Sequence, residues 1–360
     1  MKVAHYLERW LELSAGFIAA QVERSRHDGY VVSRDGWVNR EAFPVTHGSS
    51  LHRLRDAAPE RLKYAALRGQ LQPLLLARRI DLVHVHFGYA AKDVLDVTRH
   101  RPFVLSLHGH DVTGLVTEQP GCYAGVPAAV DAVIVPSRFL ATAAERAGFD
   151  PETMRVIPSG VDTSYFTPTP IPDGPPIVAF IGRLVEKKGL DVLLEAWQLV
   201  RAEFRGATLV VLGDGALSHL LDDRDDTVRH LKPDPSRRHE QVRDLIRSAQ
   251  LVVSPSRTAA NGDSESLLLV NLEAGASARP VVTTRHGGIP EYVEDDRNGM
   301  LVAENDARQL AAMIVYVLDQ PSVAARLAQA GVEQAARWDV RRCAALVDDL
   351  YDELADRPRK

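Results

Sequence analysis

The sequence predicts an α/β protein of two domains, each built on a parallel β-sheet with crossover helices. Short apolar runs alternate with longer amphipathic stretches throughout the chain. The runs have the length of buried strands, the stretches have the apolar spacing of helices, and their alternation gives parallel sheets. The chain has 360 residues, more than the ~250 to 300 at which a single hydrophobic core stops growing. Two domains of similar size are therefore expected.

The boundary between the domains is predicted from a proline-rich segment. The predicted strands fall, in order, on DLVHVHF, PFVLSLH, AVIVPS, PIVAFIG, TLVVLG, LVVSPS and PVVTT. Between Phe166 and Ile177 runs TPTPIPDGPP, which can continue neither a helix nor a central strand. We interpret it as a linker, with domains at 1–168 and 169–338. The apolar spacing in VRRCAALVDDLYDEL predicts a last helix within 339–360 that crosses back to the first domain.

The composition is that of a soluble globular protein, with 45% hydrophobic and 25% charged residues. The first ten residues lack the apolar core of a signal peptide, and no stretch reaches the ~20 apolar residues of a membrane span. A cytoplasmic protein is expected. The two cysteines, Cys122 and Cys343, support neither a disulfide framework nor a thiolate metal site. A net charge of −5 gives no reason to expect nucleic acid as a partner.

A candidate anion site follows the strand VAFIG. Gly182 and Arg183 end that strand, and Lys188 comes shortly before the helix LDVLLEAW. Ligands of parallel sheets bind at the carboxyl ends of the strands, and free N–H groups and the dipole at a helix start attract anions. The alternative is a solvated basic turn.

Two glutamates in NGDSESLLLVNLEAGA form a second candidate. The sequence predicts Glu265 at the start of an apolar helix and a buried Glu273 eight residues later, about 12 Å along a helix axis. That is longer than the ~5 to 9.5 Å between the carboxylates of a glycoside hydrolase. It suits one carboxylate on a sugar and one on a ribose. The alternative for Glu265 is a first-turn glutamate that only favours the helix dipole.

Histidines end two neighbouring predicted strands: His84 and His86 on the first, His108 and His110 with Asp111 on the next. Imidazoles are common zinc ligands. However, the loop at Gly109 is expected to turn His110 away from His108, so no metal site is predicted.

The turn LGDGALSHL has part of a dinucleotide fingerprint. Gly213 and Gly215 are present, but Ser218 stands where the third glycine belongs. The match is weak support for a nicotinamide cofactor.

An ordered set of motifs across most of the chain resembles the family 4 (GT4) glycosyltransferases of GT-B fold. The motifs are HGHD at 108–111, VPSRF at 135–139, PSGVD at 158–162, GRLVEKKG at 182–189, GDG at 213–215, SPS at 254–256, GDSES with EAGA, and GGIPE at 287–291. The resemblance implies two Rossmann-like domains whose parallel sheets face a central cleft. The opening LELSAGFIAAQV and GDSES are most similar to enzymes of exopolysaccharide or lipopolysaccharide synthesis.

The resemblance also implies a donor site, formed by Gly182, Arg183, Lys188, Gly213, Glu265, Ser266, Leu267 and Glu273. Arg183 and Lys188 would bind the donor diphosphate. Glu273 would bind the ribose and Glu265 the hydroxyls of the transferred sugar. Backbone N–H groups of Ser266 and Leu267 would face the phosphates or the sugar.

On the amino-terminal side, the resemblance implies a catalytic role for His108 near the sugar. It implies an acceptor region at Ser14, Gly16, His110 and Asp111. Two positions depart from the family pattern, because Ser159 replaces a common asparagine, and Ala15 and Gly16 occupy a loop that often has Glu-Thr or more glycine. The acceptor side is therefore less well defined than the donor side.

The implied reaction is transfer of a sugar from a nucleotide sugar to a hydroxyl of a saccharide or lipid-linked acceptor. The anomeric configuration would be retained, with attack on the face that the phosphate leaves. Fixed cations would stabilise the leaving diphosphate, so neither a metal nor another cofactor is expected. A scaffold that binds a sugar nucleotide without turnover, and an epimerase, are the alternatives.

A basic segment at 51–80 could contact an anionic membrane or acceptor. It has seven cations, Arg53, Arg55, Arg61, Lys63, Arg68, Arg78 and Arg79, against Asp56 and Glu60. The alternative is a solvated helix face.

Overall fold

The structure is a computed structural model that describes residues 1–10, 16–38, 47–51, 60–222 and 226–357. The side chains of Glu60, Arg61 and Lys63 are outside the described part. The chain forms two compact units. One comprises residues 1–159 with 341–360, and the other comprises residues 160–340.

The first unit is built on a parallel sheet that has seven strands within the described ranges. The strands are β1 (Lys2–Leu7), β2 (Asp28–Ser33), β3 (Gly48–Ser50), β4 (Leu82–His86), β5 (Phe103–Ser106), β6 (Ala132–Val135) and β7 (Met154–Val156). Their order is β3-β2-β1-β4-β5-β6-β7. Valine and leucine dominate the central strands because both faces of a parallel sheet are covered by helices.

The helices of this unit are α1 (Gly16–Arg24), α2 (Glu60–Ala77), α3 (Leu115–Glu118), α4 (Arg138–Arg146) and, from the end of the chain, α10 (Val340–Ala355). The apolar face of α10, with Val347, Leu350 and Tyr351, packs against the sheet residues Val3 and Leu82. Ser25 Oγ and the Arg26 N–H both donate to the Asp348 carboxylate. The last helix therefore belongs to the first unit.

The second unit has a parallel sheet of six strands in the described part. The strands are β8 (Ile177–Ile181), β9 (Thr208–Leu212), β10 (Val228–Leu231), β11 (Leu251–Ser254), β12 (Val281–Thr284) and β13 (Met300–Val302). Their order, β10-β9-β8-β11-β12-β13, reverses between β8 and β11. Helices α5 (Leu190–Glu203), α6 (Arg238–Ser248), α7 (Leu269–Ala276), α8 (Ala307–Asp319) and α9 (Pro321–Arg337) cover the sheet.

The division between the units differs from the predicted one. It falls after residue 159 rather than 168, and the chain returns to the first unit after residue 340 rather than 338. The two ends of the second unit pair with each other, since the Val161 N–H donates to the Trp338 carbonyl and the Val340 N–H to the Val161 carbonyl, both at 2.9 Å. The proline-rich segment lies inside this unit, where the Arg279 guanidinium donates to the carbonyls of Thr169 and Pro170.

No single helix in the described ranges is both long and apolar enough to cross a membrane. Together, α8 and α9 pass by length and composition, but they bend by 99° at their junction.

Candidate active site

The strand order of the second unit places a crevice at the carboxyl ends of β8 and β11. Open parallel sheets bind ligands where the strand order reverses, because the following loops diverge there. The β8 strand leads into Gly182 and Arg183, and β11 leads into Pro255 and Ser256. The predicted anion site therefore lies at the topological switch point.

An ion pair joins the two predicted candidates. Lys188 Nζ lies 2.8 Å from Glu265 Oε1, and these side chains are 13% and 8% exposed. Burial by itself would raise the pKa of Glu265, but the ammonium groups of Lys188 and Lys187 outweigh it and lower that pKa to about 2. Burial lowers the pKa of Lys188. The Glu265 carboxylate acts to raise that pKa, and the positive charges of Lys187 and Arg183 lower it further. The site thus holds a fixed carboxylate beside a fixed ammonium.

A second ion pair lies next to the first. Lys187 Nζ is 2.9 Å from Asp263 Oδ1, with side-chain exposures of 7% and 15%. The two adjacent lysines therefore bind two carboxylates of one loop, the segment GDSE. This pairing draws the loop at 263–265 onto the loop after β8.

Glu265 does not begin a helix, contrary to the prediction. The helix α7 starts at Leu269, so Glu265, Ser266 and Leu267 lie in the loop before it. Glu265 and Ser266 are buried there, while Leu267 is half-buried. The separation of about 12 Å that a continuous helix would give Glu265 and Glu273 therefore does not apply.

Glu273 lies on α7 and interacts with a cation that the sequence analysis did not identify. Its side chain is half-buried rather than fully buried. Burial raises the pKa of Glu273 to about 7, and Arg238 on α6 acts in the opposite direction. Burial lowers the pKa of Arg238. The Glu273 carboxylate acts to raise that pKa, and the Arg183 charge lowers it further. Arg183 itself is exposed, and it lies close enough to Arg238 for the two charges to interact.

Gly213 allows two strand ends to approach each other closely. A Cβ on Gly213 would lie 2.0 Å from the carbonyl oxygen of Gly182, a distance that no side chain tolerates. The Leu184 N–H donates to the Asp214 carbonyl at 2.9 Å. The absence of a side chain at Gly213 therefore lets the backbone after β9 pack directly against the Gly182 carbonyl after β8.

In the first unit, Asp111 organises the loop that carries His108. Its carboxylate accepts hydrogen bonds from the N–H groups of His108, Gly109 and Gly88 at 2.8 to 3.1 Å. His110 is exposed and lies 3.8 Å from a Glu118 carboxylate oxygen. Gly16 is the first residue of α1. Ser14 lies outside the described residues.

His108 packs among aromatic rings. Its ring contacts Phe17 and Phe87 edge to face, with centroids 5.0 and 4.5 Å apart, and stacks on His86 at 6.0 Å. Burial lowers the pKa of His108 to about 3. A histidine with that pKa is neutral near pH 7 and serves as a hydrogen-bonding group better than as a general acid.

Three other histidines of the first unit, His5, His84 and His86, pack against one another. One ring nitrogen from each of His5, His84 and His86 lies within 4.8 Å of the others. The His84 and His86 rings stack at 4.1 Å and 30°, which directs their in-plane lone pairs side by side rather than toward one point. Both nitrogens of His84 already have partners, Tyr351 Oη at 2.5 Å and Ser106 Oγ at 2.7 Å. This geometry does not fit a tetrahedral metal centre.

Sequence reasoning missed Lys187, Arg238, His286 and Glu304. Arg238 follows β10, whose sequence VRHL lacks the apolar run by which the other strands were recognised. His286 directly precedes the quoted segment GGIPE, and that position was the available signal. Glu304 follows β13, a strand of three residues that is too short to predict.

Comparison with known proteins relates both halves of the chain to glycosyltransferases. Residues 14–165 match the family described as Glycosyltransferase Family 4, and residues 175–320 match Glycosyl transferases group 1. The D-inositol 3-phosphate glycosyltransferase of Xylanimonas cellulosilytica is 32% identical over 324 residues, which cover 77% of this chain and 73% of that protein.

A second relative matches a shorter stretch. WcaL of Escherichia coli K12, named as a colanic acid biosynthesis glycosyltransferase, is 38% identical over 175 residues. The chain spans only 42% of its length.

A solved structure supports the fold. Anabaena HepE in complex with UDP and glucose superimposes with a TM-score of 0.78 at 20% identity, over 98% of this chain and all of that one. Two parallel-sheet units and this similarity establish the predicted GT-B fold. The match to both family descriptions and the long alignment to a named glycosyltransferase lead to one conclusion: the chain belongs to glycosyltransferase family 4.

Proposed function

We propose that this chain transfers a sugar from a nucleoside-diphosphate sugar to a hydroxyl of a saccharide or lipid-linked glycan, with retention of configuration. The observation that carries the proposal is the buried pair of Lys188 and Glu265 at the switch point. Arg183 is exposed beside it. Such a donor requires two kinds of group. One is a carboxylate that accepts hydrogen bonds from the sugar hydroxyls, and the other is a set of cations that face the diphosphate.

In the proposed reaction, the bond between the anomeric carbon and the diphosphate oxygen breaks while the acceptor oxygen bonds to the same face. The acceptor proton passes to a phosphate oxygen. Negative charge develops on the leaving diphosphate, where Lys188 and Arg183 stabilise it. Glu273 binds the ribose hydroxyls, and neutral His108 offers a hydrogen bond to the sugar.

We expect that excess EDTA leaves transfer essentially unchanged. Lys188 and Arg183 supply the positive charge that a divalent metal supplies in other glycosyltransferases, so no ion is required at the diphosphate. The measurement is the initial rate with and without EDTA after exhaustive dialysis. Loss of activity that zinc restores would contradict the expectation.

The proposed function is tested by a donor screen. Thermal shift with UDP, GDP, ADP and dTDP sugars identifies the nucleotide, because a ligand that binds the folded state raises its apparent stability. The selected donor is then incubated with saccharide acceptors. Transfer supports the proposal. Binding without transfer or hydrolysis would favour a scaffold, and conversion of the donor without an acceptor would favour an epimerase.

For the acceptor, we propose an intermediate of bacterial surface polysaccharide synthesis. The support is the likeness to a protein named for colanic acid biosynthesis. An anionic or lipid-linked saccharide would suit the basic segment 51–80.

We also propose that segment 51–80 attracts the protein to anionic membranes. Arg53 and Arg55 lie outside the described residues. Two described cations of the segment already have partners, since Arg68 Nη1 lies 3.4 Å from Asp96 and Arg78 lies over the Tyr30 ring. On α2, Leu62 and Leu76 are 50% and 60% exposed, as expected of a helix that touches a lipid surface.

Binding to anionic vesicles is the expected result at low salt. The segment has seven cations and two carboxylates, a net charge of +5, and each cation near an anionic surface contributes about 1 kcal/mol. Co-sedimentation is measured at low and high salt for wild type and for an Arg53, Arg55 and Arg61 triple substitution to Glu. Negligible binding of both proteins would remove the membrane proposal and favour a soluble acceptor.

A further inference from the structure

The backbone of Glu265 is held by a buried histidine. The Glu265 N–H donates to Nε2 of His286 at 3.0 Å, and His286 is 1% exposed. On the other side of the ring, Nδ1 lies 2.8 Å from Glu304 Oε1. A continuous chain of contacts therefore runs from Glu304 through the imidazole to the peptide of Glu265.

This geometry determines the tautomer of His286. A backbone N–H only donates, so Nε2 must carry the lone pair, and the proton of the neutral ring must reside on Nδ1. Nδ1 then donates to Glu304, whose other oxygen, Oε2, accepts the Thr258 N–H at 2.8 Å. Burial would raise the pKa of Glu304, but the hydrogen bonds from Thr258 and His286 lower it. Glu304 is thus a carboxylate with both oxygens engaged.

The residues after His286 bind the backbone carbonyl of Glu265. The Gly288 N–H donates to the Glu265 carbonyl at 3.1 Å. Gly287 has a φ of +53°, and a Cβ on it would lie 2.0 Å from that carbonyl oxygen. Residues 286–288 therefore bind both the N–H and the C=O of Glu265, which lies in a loop with no helix to support it.

We propose that His286 and Glu304 are positioning residues that hold the Glu265 carboxylate where it meets Lys188 and the donor sugar. The proposal rests on the proposed role of Glu265 in binding the transferred sugar. Side chains that bind a reacting group need partners that restrict their position. Without an acceptor at Nε2, the Glu265 N–H is buried and unpaired, and the loop moves to satisfy it.

The first test needs no substrate. Selective ¹⁵N labelling of histidine in the intact chain and a long-range ¹H–¹⁵N correlation spectrum report which ring nitrogen carries the proton. The His286 signal is assigned by its loss in His286→Gln. We expect a neutral ring protonated at Nδ1 at pH 7.5. A proton on Nε2, or a charged ring, would overturn the proposal.

The second test is kinetic. We expect His286→Phe to lower kcat about 100-fold, as displacement of a reacting group by about 1 Å does, while affinity for the free nucleotide stays unchanged. His286→Gln keeps an acceptor oxygen near the Nε2 position and should recover part of the loss. Glu304→Gln offers an oxygen to only one of His286 and Thr258, so an intermediate loss is expected.

Matched controls are available on the same unit. His219→Phe replaces an exposed histidine whose Nδ1 lies 2.9 Å from the Ala216 carbonyl oxygen, and Glu294→Gln replaces an exposed glutamate that pairs with Arg297. Both should keep the wild-type kcat. An unchanged kcat in His286→Phe, or equal losses of kcat and nucleotide affinity, would overturn the positioning role. If the wild type transfers no sugar at all, the proposed function fails, while the tautomer measurement still decides the hydrogen-bonded arrangement.

Discussion

Replacement of Lys188 by alanine should lower turnover about 1000-fold, the scale of losing one group that stabilises charge in the transition state. It should also destabilise the fold, because Glu265 is left as a buried carboxylate without its partner. Breaking a buried ion pair costs about 3 to 5 kcal/mol. The free energy of unfolding from urea titration and kcat for the selected donor are the two measurements.

Arg183→Ala separates the effect on turnover from the effect on stability. The Arg183 side chain is exposed, so its loss should change the free energy of unfolding by less than about 0.5 kcal/mol while turnover falls about 100-fold. The double variant Lys188→Ala with Glu265→Gln no longer has an unpaired buried carboxylate. Its free energy of unfolding should therefore recover toward the wild-type value, whereas its kcat should stay low. A near-normal kcat in folded Lys188→Ala and Arg183→Ala would refute the role proposed for them at the diphosphate.

Glu265→Gln and Glu273→Gln should fail in different ways. Glu265→Gln removes the carboxylate proposed to bind the transferred sugar, so transfer should fall about 1000-fold with little change in affinity for the free nucleoside diphosphate. Glu273→Gln removes the charged acceptor proposed for the ribose hydroxyls. A hydrogen bond to a charged group contributes about 1.5 to 3 kcal/mol, so nucleotide affinity should fall about 10- to 100-fold. Calorimetric titration tests this, and equal affinity losses would contradict the division of roles.

The pKa of Glu273 adds a pH dependence to this prediction. Since burial raises that pKa to about 7 from 4.5, the carboxylate ionises between about pH 6 and 8, and nucleotide affinity should rise over that range. Glu273→Gln retains only the titration of the nucleotide phosphate and is the control. The stability effect has the opposite sign. The folded state holds the proton more tightly than the unfolded state, so this stabilising contribution is present below pH 4.5 and is lost as pH rises through 7.

The sequence by itself determined the fold class and the family, and it indicated most of the charged residues that follow β8 and precede α7. Apolar runs of strand length report burial on both faces of a parallel sheet, which is a local property of the chain. Arg183 and Lys188 could be identified because they follow the apolar run VAFIG, and residues after such runs lie at the ligand-binding edge of a parallel sheet. Glu265 could be identified because it precedes the apolar stretch SLLLVNLEAGA. The division at residue 159 could not, because the proline-rich segment belongs to the second unit through Arg279, a contact with a residue more than a hundred positions away.

Only the tertiary structure decided how these residues are paired. Nothing local indicates that Lys188 contacts Glu265 while Lys187 contacts Asp263, since these pairs join loops that follow different strands. The position of Glu265 outside α7 also depends on such contacts, because His286 and Gly288 satisfy its backbone in place of a helical turn. Periodicity describes one segment at a time, whereas hydrogen bonds and ion pairs between distant segments depend on the folded arrangement of the sheet. The pKa of Glu273 follows for the same reason, since its burial beside Arg238 is created by the packing of α6 and α7.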